Sequence, residues 1–279
     1  MLKTRVITAL ALMALLLPSI FMLPQADWAL LVAAFIGVAA WEWGALLGWQ
    51  ESARRTLGVA TALICAAVSF AFPGAMGVGA TVDVAQPWVF LFYGLAAIFW
   101  CLVMPFWLRN KWALQGGVVG LLVGAVVLLP TWLAMVQLRI LGPAVLLAIF
   151  AVVWMADIAA YFSGKAFGKH KLAPTISPGK TWEGAVGAAV GVVIYGLVVR
   201  AAFSLESPAL PLWVLLLLGV TAISIIGDLY ESLLKRKAGI KDSSNVLPGH
   251  GGVLDRIDSL TSTLPVVALL WLLISHGAS

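Results

Sequence analysis

Long apolar runs alternate with short polar breaks along the whole chain. About nine of the runs approach the roughly 20 residues a helix needs to cross a bilayer. They lie near Val6–Leu23, Trp28–Gly48, Leu57–Phe72, Trp88–Leu108, Gly116–Val136, Leu141–Ser163, Trp182–Phe203, Leu212–Tyr230 and Ile257–Ser275. The third is short, and its end near Phe72 is the least sharply marked. The pattern predicts an all-α, polytopic integral membrane protein. It divides into an N-terminal part, 1–140, of about five spans, and a C-terminal part, 141–279, in which the polar chemistry collects. Met1 to Leu23 has the basic start and apolar run of a signal peptide. However, the run is long, holds Pro18 and lacks an A-x-A cleavage site, so it reads as a retained first span.

Composition agrees: 62% of the 279 residues are hydrophobic and 10% are charged. A water-soluble domain cannot hide that much apolar surface. The sequence pI near 9.4 reflects loop charge in such a protein and calls for no nucleic-acid partner. Cys65 and Cys101 lie inside apolar runs and read as small packing residues. The cations are distributed unevenly. With the N-terminus cytoplasmic, Lys3, Arg5, Arg54, Arg55, Arg109, Lys111 and every lysine and arginine of 165–180 and 235–256 fall inside. Only Arg139 and Arg200 fall outside. This bias predicts N-terminus in, C-terminus out and an odd number of spans.

Gly116, Gly120 and Gly124, and likewise Gly187 and Gly191, have the four-residue spacing that lets helices approach closely in lipid. The tryptophans cluster near predicted span ends. Pro73 to Pro87 reads as a plain outer connection.

The chemistry gathers at one edge. Asp157 lies about sixteen residues into the sixth span, roughly 24 Å from its start, close to the cytoplasmic side. Asp228 is near the inner end of the eighth span, and Asp255 and Asp258 begin the ninth. Carboxylates inside spans are costly and usually functional. A carboxylate cluster without usable cysteine or abundant histidine favours Mg²⁺ over Zn²⁺. Lys235, Arg236, Lys237 and Lys241 suit a polyphosphate or an anionic headgroup. Gly251 and Gly252, after His250, would bring the backbone close to a ligand at a helix start that attracts phosphate. Taken singly, these features have plainer readings. Lys235–Lys237 would anchor a span, Asp255 and Asp258 would complement a helix dipole, and Pro248-Gly249 marks a turn. His250 could equally be loop packing, and Glu42, between two tryptophans, a partner for a loop cation.

The combination resembles a known signature. Ser232-Leu-Leu-Lys-Arg, four residues, Lys241-Asp242, then Pro248-Gly-His-Gly-Gly, two residues, Asp255-Arg-Ile-Asp258 is similar to the pattern of phosphatidate cytidylyltransferases, the CDP-diacylglycerol synthases. A second block looks like the same family: Asp157, Ala160-Tyr161, Gly164, Gly168-Lys169, Leu172, Pro174, Ile176-Ser177-Pro178, Lys180-Thr181 and Glu183-Gly184. The N-terminal half matches only in character, apart from Trp41-Glu42-Trp43.

The resemblance implies that CTP and phosphatidic acid give CDP-diacylglycerol and pyrophosphate in a multi-pass protein of the inner (plasma) membrane, at a site on the cytoplasmic side. Asp228 and Asp255 are the first-choice Mg²⁺ ligands, with Asp258 and Asp157 second. A further monovalent or divalent cation is compatible with the site. Lys235, Arg236, Lys241 and Arg256 are expected phosphate contacts; Ser177 and Lys180 would hold nucleotide or lipid phosphate; Asp242 and His250 would orient the cations. Membrane lipid is the surrounding partner, and a homodimer is compatible with the pattern. Two rival readings remain. An ion-coupled transporter would carry its charges near mid-membrane at a repeat interface; here they crowd one edge and no repeat is visible. Nucleotidyl transfer to another lipid phosphate stays open.

Overall fold

A computed structural model describes residues 2–277. Met1, Ala278 and Ser279, and the side chain of Lys3 used in the orientation argument, lie outside the described residues. Among the described residues, nine helices are long and apolar enough to span a membrane. They are α1 (Leu2–Met22), α2 (Gln25–Leu46), α3 (Glu51–Ala71), the continuous pair α4 (Pro87–Ile98) and α5 (Met104–Asn110), α6 (Gly117–Leu138), α7 (Pro143–Phe167), α8 (Trp182–Ala202), α9 (Leu210–Lys237) and α10 (Leu254–Gly277). The protein is therefore a helical, multi-pass membrane protein.

The expected small-residue contacts form. A side chain at Gly120 would run into Leu47 and one at Gly124 into Trp43, so these glycines let α6 lie against α2. Gly187 and Gly191 do the same for α8 against Ser163 and Ala159 of α7. In lipid, where helix association has no hydrophobic driving force, this close approach is what packing can exploit. α10 packs against α2, α4, α6, α7 and α9, so the N-terminal and C-terminal halves interlock.

Four features differ from the sequence reading. The third span is a full 21 residues because α3 begins at Glu51. Arg54 belongs to its first turn and stacks over Trp41 of α2, 4.4 Å from the ring centre. Secondly, α4 and α5 are joined by a π turn at Phe99–Val103. Buried Trp100 and Trp107 pack edge-on against Tyr230 of α9, with ring centres 5.6 and 5.8 Å away. Thirdly, 72–86 is a docked plug and not a plain connection. Ala75 and Met76 are buried, and their carbonyls accept from Gln137 and Gln25. Irregular backbone at a bundle end must find such donors if water does not reach it. Finally, an antiparallel hairpin of β1 (Lys171–Ala173) and β2 (Ser177–Thr181) joins α7 to α8.

Candidate active site

The polar stretch 235–258 is less of a loop than its composition suggests. Lys235, Arg236 and Lys237 are the last turn of α9, where cations complement the helix dipole. Asp255 and Asp258 lie in the first turns of α10. Only 238–253 connects the two helices.

Two carboxylates organise that connection. Asp255 Oδ1 accepts from Lys235 Nζ at 2.6 Å. Its Oδ2 accepts from the Ser243 backbone N–H and hydroxyl, both at 2.8 Å, and from the Gly252 N–H at 2.7 Å. Glu42 comes from α2, fully buried. It accepts from the Val253 N–H at 3.0 Å, the Leu254 N–H at 2.6 Å and the Ser244 hydroxyl at 2.6 Å. Amide groups at the start of α10 have no partners within the helix, and here these carboxylates supply them.

This arrangement revises two expectations. The amides of Gly252, Val253 and Leu254, expected to attract phosphate, already serve Asp255 and Glu42. The glycines bring the backbone close to these carboxylates. A side chain at Gly251, whose φ is +83°, would meet Asp255, and one at Gly252 would meet Glu42 and Ser243. Lys235 is likewise engaged, with Asp255 at 2.6 Å and Glu231 at 3.3 Å.

A second group faces open space. Lys180, from β2 of the hairpin, forms an ion pair with Asp228 of α9. The Ser232 hydroxyl also donates to Asp228, at 3.3 Å. Two cavities meet here. One, of about 510 Å³, is walled by Tyr161, Lys165, Ser177 and Lys180 together with Asp157 and Asp228. The other, of about 470 Å³, is lined by Asp157, Asp228, Asp255, Arg256 and Asp258 at one end and by apolar side chains elsewhere. Asp157 and Asp228 thus border both. The structure therefore draws Asp157, Ser177, Lys180, Asp228, Asp255, Arg256 and Asp258 into one region from α7, the hairpin, α9 and α10.

Other expected site residues are not on these walls. Arg236, Lys241 and Asp242 are exposed. His250 is half-buried, and its Nδ1 is enclosed without a hydrogen-bond partner among the described residues.

Residues 3–274 match the model of the cytidylyltransferase family. The chain belongs to the cytidylyltransferase family. Among its relatives is a phosphatidate cytidylyltransferase of Pseudomonas aeruginosa, 42% identical over 278 residues that cover 97% of each chain. A phosphatidate cytidylyltransferase of Haemophilus influenzae is 34% identical over 95% of this chain and 96% of its own. One from Brucella suis is 49% identical over 132 residues, 47% of each chain.

Within this family member, sequence reasoning missed two buried acids. Glu42 was considered only as a partner for a loop cation, yet it holds backbone amides. The signal was its place inside a span between two tryptophans, where an acid needs a compelling partner. Glu231 lies one residue before the recognised signature. Lys235 is 3.3 Å away but poorly aligned, and both Glu231 oxygens lack a hydrogen-bond partner among the described residues.

Proposed function

We propose that this protein transfers the cytidylyl group of CTP to phosphatidate, releasing pyrophosphate and forming CDP-diacylglycerol. The single observation that carries the reading is the pair of cavities bordered by Asp157 and Asp228. One has Lys165, Ser177 and Lys180 on its wall and suits a nucleotide triphosphate. The other is apolar apart from its charged end and suits a lipid whose phosphate reaches that end.

An oxygen of the lipid phosphate attacks the α-phosphorus of CTP. The bond from that phosphorus to the bridging oxygen breaks, and pyrophosphate leaves. The nucleophile is already an anion, so no serine or cysteine has to be activated. The obstacle is repulsion between two anions, which fixed cations aimed at the developing charge offset. Lys180 on one cavity wall and Arg256 on the other would serve in that role. Lys180 would exchange Asp228 for phosphate when CTP arrives, and the Asp228 carboxylate would then be free on the cavity wall.

Among the described residues no three His, Cys, Asp or Glu side chains are arranged to chelate an ion by themselves. Mg²⁺ does not require it, because one or two carboxylates plus substrate phosphates suffice. The donor set fits a hard cation: Asp228 first, with Asp258 and Asp157 on the same cavity wall. Asp255 would join only by releasing Lys235. Bound Mg²⁺ would supply charge neutralisation and polarisation of the phosphates.

The cation distribution supports an orientation with the N-terminus and the site on the cytoplasmic side of the plasma membrane, and the C-terminus outside. CTP would then come from the cytosol and phosphatidate from the inner leaflet. Purified protein with CTP, phosphatidic acid and Mg²⁺ in detergent tests the reading. Pyrophosphate and CDP-diacylglycerol should appear in equal amounts and only with both substrates. Faster turnover with another lipid phosphate would change the acceptor, and no pyrophosphate with any of them would refute the reading.

A further inference from the structure

The apolar cavity has one weakly held wall. Leu12 and Leu16 of α1 line it together with Phe150 and Trp154 of α7 and Trp28 and Phe35 of α2. Over most of its length α1 faces outward, and Leu10, Met13 and Leu15 are all exposed. Its two ends are held differently. At one end Arg139 donates to the carbonyls of Ile20 and Leu23 and to the side chain of Gln25, the first residue of α2. At the other, the Thr8 hydroxyl donates to the Pro248 carbonyl at 2.8 Å, and Arg5 rests against Gly249. Between them Pro18 lies inside the helix, where it removes an amide and leaves the Ala14 carbonyl without its usual donor. The Ser19 hydroxyl bonds back to the Leu15 carbonyl at 2.6 Å, which also favours bending there. Kinks arise at such positions.

We propose that α1 is the movable wall of an acyl-chain site. A fatty acyl chain of the lipid substrate lies between Leu12 and Leu16 of α1 and Phe150 and Trp154 of α7. Bending at Pro18 swings the Thr8 end of α1 away from Pro248, and the lipid enters from the bilayer between α1 and α7. The inference rests on the reading of phosphatidate as substrate. That reading says where the phosphate goes; the inference adds the chain's seat and its entrance. The occupant is identified by continuity: the apolar space opens directly onto Asp228 and Arg256, where the lipid phosphate must react. Leu12 and Leu16 are thus specificity-determining residues for chain length.

Two measurements test this on the full-length protein. In the first, kcat/KM is compared for dioleoyl and dihexanoyl phosphatidate in wild type, Leu12→Trp, Leu16→Trp and Met13→Trp, whose side chain points outward. Filling a packed apolar space commonly costs enough to change a rate constant about tenfold. The long-to-short ratio should therefore fall about tenfold in the Leu12 and Leu16 variants and stay at the wild-type value in the Met13 variant. An unchanged ratio in both leucine variants overturns the proposal. In the second, wild-type protein is photolabelled with phosphatidate carrying a diazirine in the middle of one acyl chain. This needs no variant to fold. Label on 12–16 and 150–154, displaced by excess dioleoyl phosphatidate but not by phosphatidylcholine, is expected. Label that competes only elsewhere overturns the proposal. If wild type turns over no phosphatidate of either length, the substrate reading fails instead.

Discussion

Glu42 Oε2 accepts the backbone N–H of Leu254 at 2.6 Å, so an acid from the second helix caps the tenth. The same side chain holds Val253 and Ser244. A residue in the part of the chain with little recognisable signature therefore fixes the segment that carries Asp255, Arg256 and Asp258. Removing it leaves several buried donors unpaired. Glu42→Ala should destabilise the protein by more than about 2 kcal/mol and expose the 243–254 amides to hydrogen exchange. Wild-type protection of those amides in a folded Glu42→Ala protein would show that the cap is dispensable.

Asp255 and Asp228 should fail in different ways. Asp255 anchors Lys235, Ser243 and Gly252, so Asp255→Asn should lower both thermal stability and activity. Asp228 has Ser232 and the exchangeable partner Lys180. Asp228→Asn should keep its melting temperature within a few degrees while activity is lost. Equal melting temperatures for both variants would contradict this division of roles.

The cations divide as well. Lys180 borders one cavity and Arg256 the other, whereas Arg54 is stacked on Trp41 and paired with Glu51. Lys180→Gln and Arg256→Gln should each lower kcat/KM by about 100-fold, the usual scale for losing one charge-stabilising contact in a dry site. Arg54→Gln and Arg109→Gln, at the ends of α3 and α5, should cost less than about fivefold, as expected of charges that only anchor span ends. Lys241→Gln, at an exposed position of the 238–253 connection, should fall between. Steady-state kinetics on the five variants at matched protein amounts decides it.

Orientation is tested by cysteine labelling in a background without Cys65 and Cys101. Thr175→Cys in the hairpin and Asn245→Cys in the 238–253 connection are exposed positions and should react only from the cytoplasmic side. Glu206→Cys, between α8 and α9, should react only from outside. Reaction of Thr175→Cys and Asn245→Cys from opposite sides would contradict the single-site account.

The spans were legible because lipid enforces a simple rule of about 20 apolar residues per crossing. The convergence of Asp157, Asp228 and Asp258 was legible because each is an acid at a similar depth in a span. What stayed hidden depends on partners distant in sequence. Glu42 could be recognised as costly, but nothing local says that its partners are amides 211 and 212 residues away. Lys235 and Asp255 looked like free phosphate and metal contacts because a sequence cannot show that they bind each other. The π turn at Phe99–Val103 carries Trp100 against Tyr230 of α9, a contact 130 residues away in sequence that no local pattern announces.

If one centre bordered by Asp157 and Asp228 joins a CTP cavity to a phosphatidate cavity, both substrates react beside the Asp228 carboxylate. The most direct test is pyrophosphate release from CTP and phosphatidic acid by wild type and Asp228→Asn, across a Mg²⁺ titration. Mg²⁺-dependent release is expected from wild type and essentially none from a folded Asp228→Asn protein at any Mg²⁺ concentration. Wild-type turnover by Asp228→Asn, with the same Mg²⁺ dependence, would contradict it.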